Sequence, residues 1–174
     1  AEAAAPDDWG RRSQWHQSSA TSGSPGAADP LPPAIPPVLV NEALTRNANP
    51  PPLDTIELHN PTEQPADIGG WWLTDDFNTP AKFRIPSGTI LAANGYLTFD
   101  ASQFDAGDAA FGLGTDGDEI WLFSADPAGN LTGYFHGHPF GAAEDGVSFG
   151  RHVTSDGQEH FVAQTSPSLG AVNA

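Results

Sequence analysis

The chain has 174 residues, a formal charge of −16 and only six basic side chains, a field that repels phosphate backbones and anionic bilayers and so speaks against nucleic-acid partners and membrane insertion. Seventeen prolines and nineteen glycines rule against long helices, and no apolar run approaches the roughly 18 residues of a membrane span. Cysteine and methionine are both absent, which removes disulfides and thiol chemistry from consideration.

In chain order the first element is an arm. Residues 1–37 carry seven of the prolines, many Ser, Gly and Ala, and few side chains able to join a core. Ala1-Glu2-Ala3-Ala4-Ala5-Pro6 reads as the small-residue start left by signal-peptide cleavage, so secretion from a prokaryote, to the extracellular space or cell surface, is the expectation. The arm's apolar content is concentrated in Trp9, Trp15, Leu31 and Ile35, and Pro30 to Pro37 reads as a stiff polyproline-like spacer. Extended at about 3.1 Å per residue it reaches on the order of 110 Å, against a domain radius of gyration of about 14 Å. Such an arm can touch a neighbouring molecule. Its Ser24-Pro25-Gly26-Ala27-Ala28-Asp29 echoes Ser168-Leu169-Gly170-Ala171-Val172-Asn173 at the other end, and Gln17-Ser18-Ser19 echoes Gln164-Thr165-Ser166. The echo fits either the exit of a preceding module in a tandem array or two segments made for similar docking slots, one within the domain and one on a neighbour. Gly/Ala/Ser-rich composition also repeats by chance.

From position 38 onward short runs of alternating or β-branched apolar residues are closed by Asn, Pro, Gly or Asp, the pattern of strands and turns. Strands are expected near 38–44, 55–60, 71–74, 82–85, 95–99, 119–123, 131–135, 147–151 and 160–162. In Trp71-Trp72-Leu73 and Ile120-Trp121-Leu122-Phe123 both alternate faces are apolar. One face therefore packs inward, while the other, with Trp72, Trp121 and Phe123, needs a cover from a loop or from another subunit's arm.

The order Val38-Leu39-Val40-Asn41-Glu42-Ala43-Leu44, Ile56-Glu57-Leu58-His59-Asn60-Pro61-Thr62 and Asp67-Ile68-Gly69-Gly70-Trp71-Trp72-Leu73-Thr74 resembles the lamin-tail domain family. The resemblance continues through Phe83-Arg84-Ile85-Pro86, Gly95-Tyr96-Leu97, Gly117-Asp118-Glu119-Ile120-Trp121-Leu122, Gly146-Val147-Ser148-Phe149-Gly150-Arg151 and Leu169-Gly170-Ala171-Val172-Asn173. It implies an all-β fold, an immunoglobulin-like antiparallel β-sandwich over residues 38–174 behind the extended Pro/Gly/Ser-rich arm, and a role in binding or scaffolding with no catalysis. The heptad rod of a nuclear lamin is absent, so chromatin partners are not implied.

Several candidate sites are legible. Asp75, Asp76, Asp116 and Asp118 on turns are the preferred ligands for calcium, a hard cation that takes oxygen donors, although the fixed spacing of a calcium loop is missing and solvated turn acids explain them equally. Glu42 shares alternation with Val40 and Leu44; if Val40 faces the core, Glu42 is a partly buried acid and needs Arg84, Arg151 or backbone donors. His136-x-His138 has a zinc-compatible spacing, but no third ligand is evident nearby, and Gly137 and Pro139 point to a turn carrying solvent-exposed histidines. Nucleophile elbows, phosphate loops and dinucleotide fingerprints do not occur.

The expectation is a secreted, non-enzymatic structural module that assembles with itself into an extracellular filament, its arm docking on a neighbouring copy through Trp9, Trp15, Leu31 and Ile35. Head-to-tail contacts of this kind leave an open polymer. The alternative is an adhesion module of a larger secreted protein, with calcium, a glycan or another surface protein as ligand.

Overall fold

The computed structural model describes residues 34–45, 53–107, 109–142 and 144–173. Among the described residues eleven strands and one helical turn follow each other as β1 (Leu39–Leu44), β2 (Thr55–His59), β3 (Ala66–Asp67), β4 (Trp72–Thr74), β5 (Phe83–Arg84), β6 (Ile90–Leu91), β7 (Tyr96–Asp100), α1 (Ala101–Phe104), β8 (Gly117–Ala125), β9 (Leu131–Gly141), β10 (Ser148–Val153) and β11 (Glu159–Ala163). All nine expected strands are present; the two-residue β3 and β6 are additions too short to show a period. The helical turn is held by Asp100, whose side chain accepts from Ser102 N–H while Gln103 reaches back to Asp100 N–H, a capping box.

The strands form a five-stranded antiparallel sheet in the order β11-β10-β1-β2-β7, a four-stranded one in the order β5-β4-β8-β9, and the β3-β6 pair. Val40, Ala43, Ile56, Leu58 and Phe99 from the first sheet meet Leu73, Ile120 and Leu122 from the second, with Ile68, Trp71, Ile85 and Leu91 closing the core. Each of the Val, Leu, Ile and Phe side chains contributes roughly 1.5–3 kcal/mol on burial. This is an immunoglobulin-like sandwich. Ile35, expected on the arm, packs against this core, so the domain begins before Val38.

Two departures from the alternation rule position the sites. A β-bulge falls between Val40 and Glu42: Val40 pairs with Leu58, yet Glu42 already pairs with Glu57. The extra residue puts Val40 on the core face with Ala43 and turns Glu42 to the opposite face, so Val40 and Glu42 do not share a face as simple alternation predicts. In β9 the expected turn is replaced by an unbroken strand, Gly137 facing Trp121 and Pro139 facing Glu119. A Cβ at Gly137 would lie 2.1 Å from Ile120 O and 2.6 Å from the Trp121 ring; glycine is there because the indole lies across it. Pro139 is accommodated because β9 is an outer strand of its sheet.

Candidate functional site

Three constructions lie outside the core. The first seals the outer face of the five-stranded sheet, where the bulge and cross-strand pairing bring Glu42 and Glu57 side by side, both with no exposed surface. Buried acids need donors, and the chain's last residues supply them. Ser168 N–H and Oγ–H donate to the two Glu42 oxygens at 2.9 and 2.7 Å, and Gly170 N–H donates to Glu57 Oε2. Asn41 Nδ2 bridges, donating to Glu57 Oε1 and to Asn173 Oδ1, each at 2.8 Å. Asn173 Nδ2 donates in turn to Asn41 O at 3.0 Å and Arg151 O at 2.8 Å. Burial pushes the Glu57 carboxyl above its usual range, while the Gly170 and Asn41 donors pull it back. The tail is thus a polar latch over an acid-lined slot. Gly150, opposite Glu42, leaves room for it, since a Cβ there would meet Gln164 Nε2 at 2.7 Å and Asn173 Nδ2 at 2.9 Å. Neither Arg84 nor Arg151 bonds to Glu42 through its side chain; the partners are a backbone N–H and a hydroxyl.

The second construction ties the two sheets together at one edge. His136 and His138 point inward from β9, and Glu159 Oε1 on β11 accepts from each His Nε2 at 2.8 Å. Glu159 Oε2 accepts from Arg151 Nε, and His138 stacks on Phe161 with centroids 5.1 Å apart. The histidines are half-buried and bonded, which corrects the expectation of exposed ones. Burial pushes both imidazoles below the usual histidine range, with Glu159 pulling the other way. Burial also works to raise Glu159, but Arg151 and His136 prevail and hold its carboxyl below the usual range.

Among the described residues these three side chains are the one set of His, Cys, Asp and Glu whose ligand atoms gather within 4.8 Å. The hydrogen bonds at His136 are not those of a metal ligand. Val40 N–H donates to His136 Nδ1 at 2.9 Å, so the ring proton sits on Nε2, aimed at Glu159. A histidine ligating through Nε2 needs the reverse, a free lone pair there and a proton on Nδ1. Arg151 already neutralises the carboxylate. The cluster is a hydrogen-bonded clasp.

The third construction is the outer face of the four-stranded sheet. Phe77, from the loop after β4, lies over Trp121 and Phe123 with centroids at 4.9 and 5.4 Å, and meets Phe135 at 5.2 Å. Its N–H is held by Glu119 Oε1 at 2.8 Å. A loop residue therefore provides part of the cover: Phe123 is 7 % exposed, whereas Phe135 and Leu131 remain 49 % exposed. Trp121 Nε1 is buried with no hydrogen-bond partner. Trp72 is pinned at the far side, donating to Gly129 O at 3.1 Å and stacked under Arg84. Trp9, Trp15 and Leu31 lie outside the described residues.

Residues 32–136 match the family model for the Lamin Tail Domain. The chain belongs to the lamin-tail domain family. No curated protein and no solved structure matches it. Lamin-tail domains are immunoglobulin-like structural and interaction modules, and the matched span ends within β9, so the clasp partner Glu159 and the whole latch lie beyond it.

The acids expected to hold calcium are spread over separate turns of this lamin-tail sandwich. Asp75 pairs with Lys82. Asp76 accepts from Asn78 N–H and Thr79 Oγ–H, which hold its carboxyl below the usual range. Asp118 accepts from Gly114 N–H at 2.7 Å, and Asp116 is exposed on the turn before β8. No three of them gather as the clasp residues do. Sequence reasoning missed Glu159 and the latch donors. The signal for the clasp was the period-2 series Tyr134, His136, His138, Phe140, which marks one inward face of a continuous strand.

Proposed function

We propose that this lamin-tail sandwich is a non-catalytic, secreted structural module that assembles with copies of itself into an extracellular filament, the arm of one copy engaging the next. The observation that carries the reading is the half-covered aromatic face of the second sheet. Phe135 and Leu131 on the outer strand β9 leave an apolar surface beside the half-buried Trp121 and the buried Phe123, and such patches on soluble proteins mark contact sites. The unpartnered Trp121 indole N–H adds a polar anchor; a neighbour's backbone carbonyl reaching under Phe77 would supply the acceptor whose lack costs about 1–3 kcal/mol. Trp9 and Trp15 are of the residue type that dominates such interfaces.

Deleting residues 1–33, which leaves Ile35 and every described strand in place, tests the reading. Electron microscopy and light scattering of the intact protein are expected to reveal concentration-dependent polymers, and the truncated protein is expected to remain monomeric. Polymers that survive the deletion, or an intact chain that never associates, would reject the arm as the connector. A monomer whose melting temperature rises with added calcium would favour the adhesion-module alternative.

A further inference from the structure

The tail covers Glu42 and Glu57 but not the whole outer face of the five-stranded sheet. Beside the latch runs a groove of about 620 Å³, within the size range of small-ligand sites. His59 of β2 and Tyr96 of β7 line it on one side of β1, Val153 of β10 lines it on the other, and Asn41 of β1 joins Val172 and Asn173 of the tail. Its apolar part is open to solvent. Val153 is largely exposed and Val172 is 78 % exposed, while His59 and Tyr96, a cross-strand pair, stack with ring centroids 4.4 Å apart. Its polar part is rich in acceptors. A carbonyl can only accept, so His59 Nδ1 carries the ring proton toward Gly95 O at 3.1 Å and Nε2 keeps its lone pair. Burial pushes this imidazole below the usual histidine range, although the Gly95 bond pulls the other way. Asn173 spends both Nδ2 hydrogens on Asn41 O and Arg151 O, and Gln164 spends both Nε2 hydrogens on Val162 O and Gly150 O. Gln164, which also lines the groove, is only 7 % exposed, and its Oε1 is buried without a hydrogen-bond partner, a lack that burial makes costly.

These features narrow the chemistry of a ligand. An anion would meet acceptors and no free guanidinium, because Arg151, which lines the groove, gives its Nε to Glu159. A cation would meet no carboxylate, since no Asp or Glu lines the groove. An extended peptide draws its affinity from main-chain bonds to an unpaired strand edge, and β1, β2 and β10 are interior strands paired on both sides. A neutral ligand with hydroxyl donors and C–H faces suits both parts: its hydroxyls match the acceptors, and its C–H groups pack on the rings and valines. We propose that this groove binds a short neutral saccharide, its C–H faces against the His59–Tyr96 stack and Val172 and its hydroxyls donating to His59 Nε2, Asn173 Oδ1 and Gln164 Oε1. Val172 and Asn173 belong to the tail, so a bound sugar also holds the latch closed. The groove lies on the other sheet from Phe135, and binding there does not depend on self-assembly.

The test titrates cellobiose, maltose, lactose and N,N′-diacetylchitobiose into the full chain by calorimetry and maps the bound state by hydrogen exchange. Saturable binding of at least one sugar is expected, with slowed exchange at the tail amides of Ser168 and Gly170 and an affinity that added salt leaves unchanged. Tyr96→Ala is expected to weaken binding by about tenfold or more, and Phe135→Ser, on the other sheet, to leave it as it was. Should Tyr96→Ala fail to fold, Val172→Asp alters a side chain that is already 78 % exposed and is expected to weaken binding by a similar factor. No binding of any of the four sugars, protection confined to residues away from the groove, or unchanged affinity in the folded groove variants would overturn the proposal. So would salt-sensitive binding of arginine hydrochloride in place of every sugar, which would make the groove a cation site.

Discussion

The two outer faces of the sandwich are finished in opposite ways. On the five-stranded sheet, paired buried acids are sealed by a tail that meets them with two backbone N–H groups and a hydroxyl, while Asn41 of β1 adds an amide, each bond directional. On the four-stranded sheet, one phenylalanine from a loop lies over aromatic rings and leaves Phe135 and Leu131 half exposed. A buried polar pair tolerates no partial cover, because each unpaired group costs about 1–3 kcal/mol, whereas an aromatic face loses only area in proportion to what stays wet. The first face is therefore closed within one chain, and the second keeps apolar surface exposed.

The sharpest way to break this contrast is to empty the slot from below. Glu42→Ala leaves the Ser168 donors without an acceptor and a void in its place, and is expected to lower the unfolding free energy by about 2–4 kcal/mol, measured by chemical denaturation. A loss under about 0.5 kcal/mol would mean that the tail is not held by this acid.

A smaller effect is expected from acid at the clasp. Burial keeps His136 and His138 below the usual histidine range when folded, so the unfolded chain binds protons first. Their contribution is complete above the unfolded value of about 6.5 and falls away as pH drops below it. Protonating His136 also sets an N–H against Val40 N–H. Glu159, held low in the fold, adds a further loss once pH passes below about 4.5. The melting temperature is expected to drop between pH 7 and 5, and the drop to shrink in His136→Gln; an identical profile for the two would show that the clasp does not titrate.

Local pattern carried the strand ladder, because alternation and turn residues are written within a few positions of each other. The burial of Glu42 was expected from a face shared with Val40, yet one bulge residue, Asn41, separates the two faces, and Glu42 is buried by the tail instead. The histidine pair was readable as a spacing, yet its meaning depends on Glu159, 21 residues beyond His138, and on Val40, 96 residues before His136. The latch was visible only as an echo, since a hydrogen bond from Ser168 to Glu42 spans 126 residues and leaves no periodic trace.

The least effect on the fold and the greatest on association is expected from the open face. Phe135→Ser removes a ring that is already 49 % exposed and is expected to cost less than about 1 kcal/mol in stability. Sedimentation velocity of the intact and Phe135→Ser proteins across a hundredfold range of concentration asks whether that face joins copies. The account predicts boundaries that move faster with concentration for the intact chain and a constant monomer for the variant; superimposable concentration dependence in the two would contradict it.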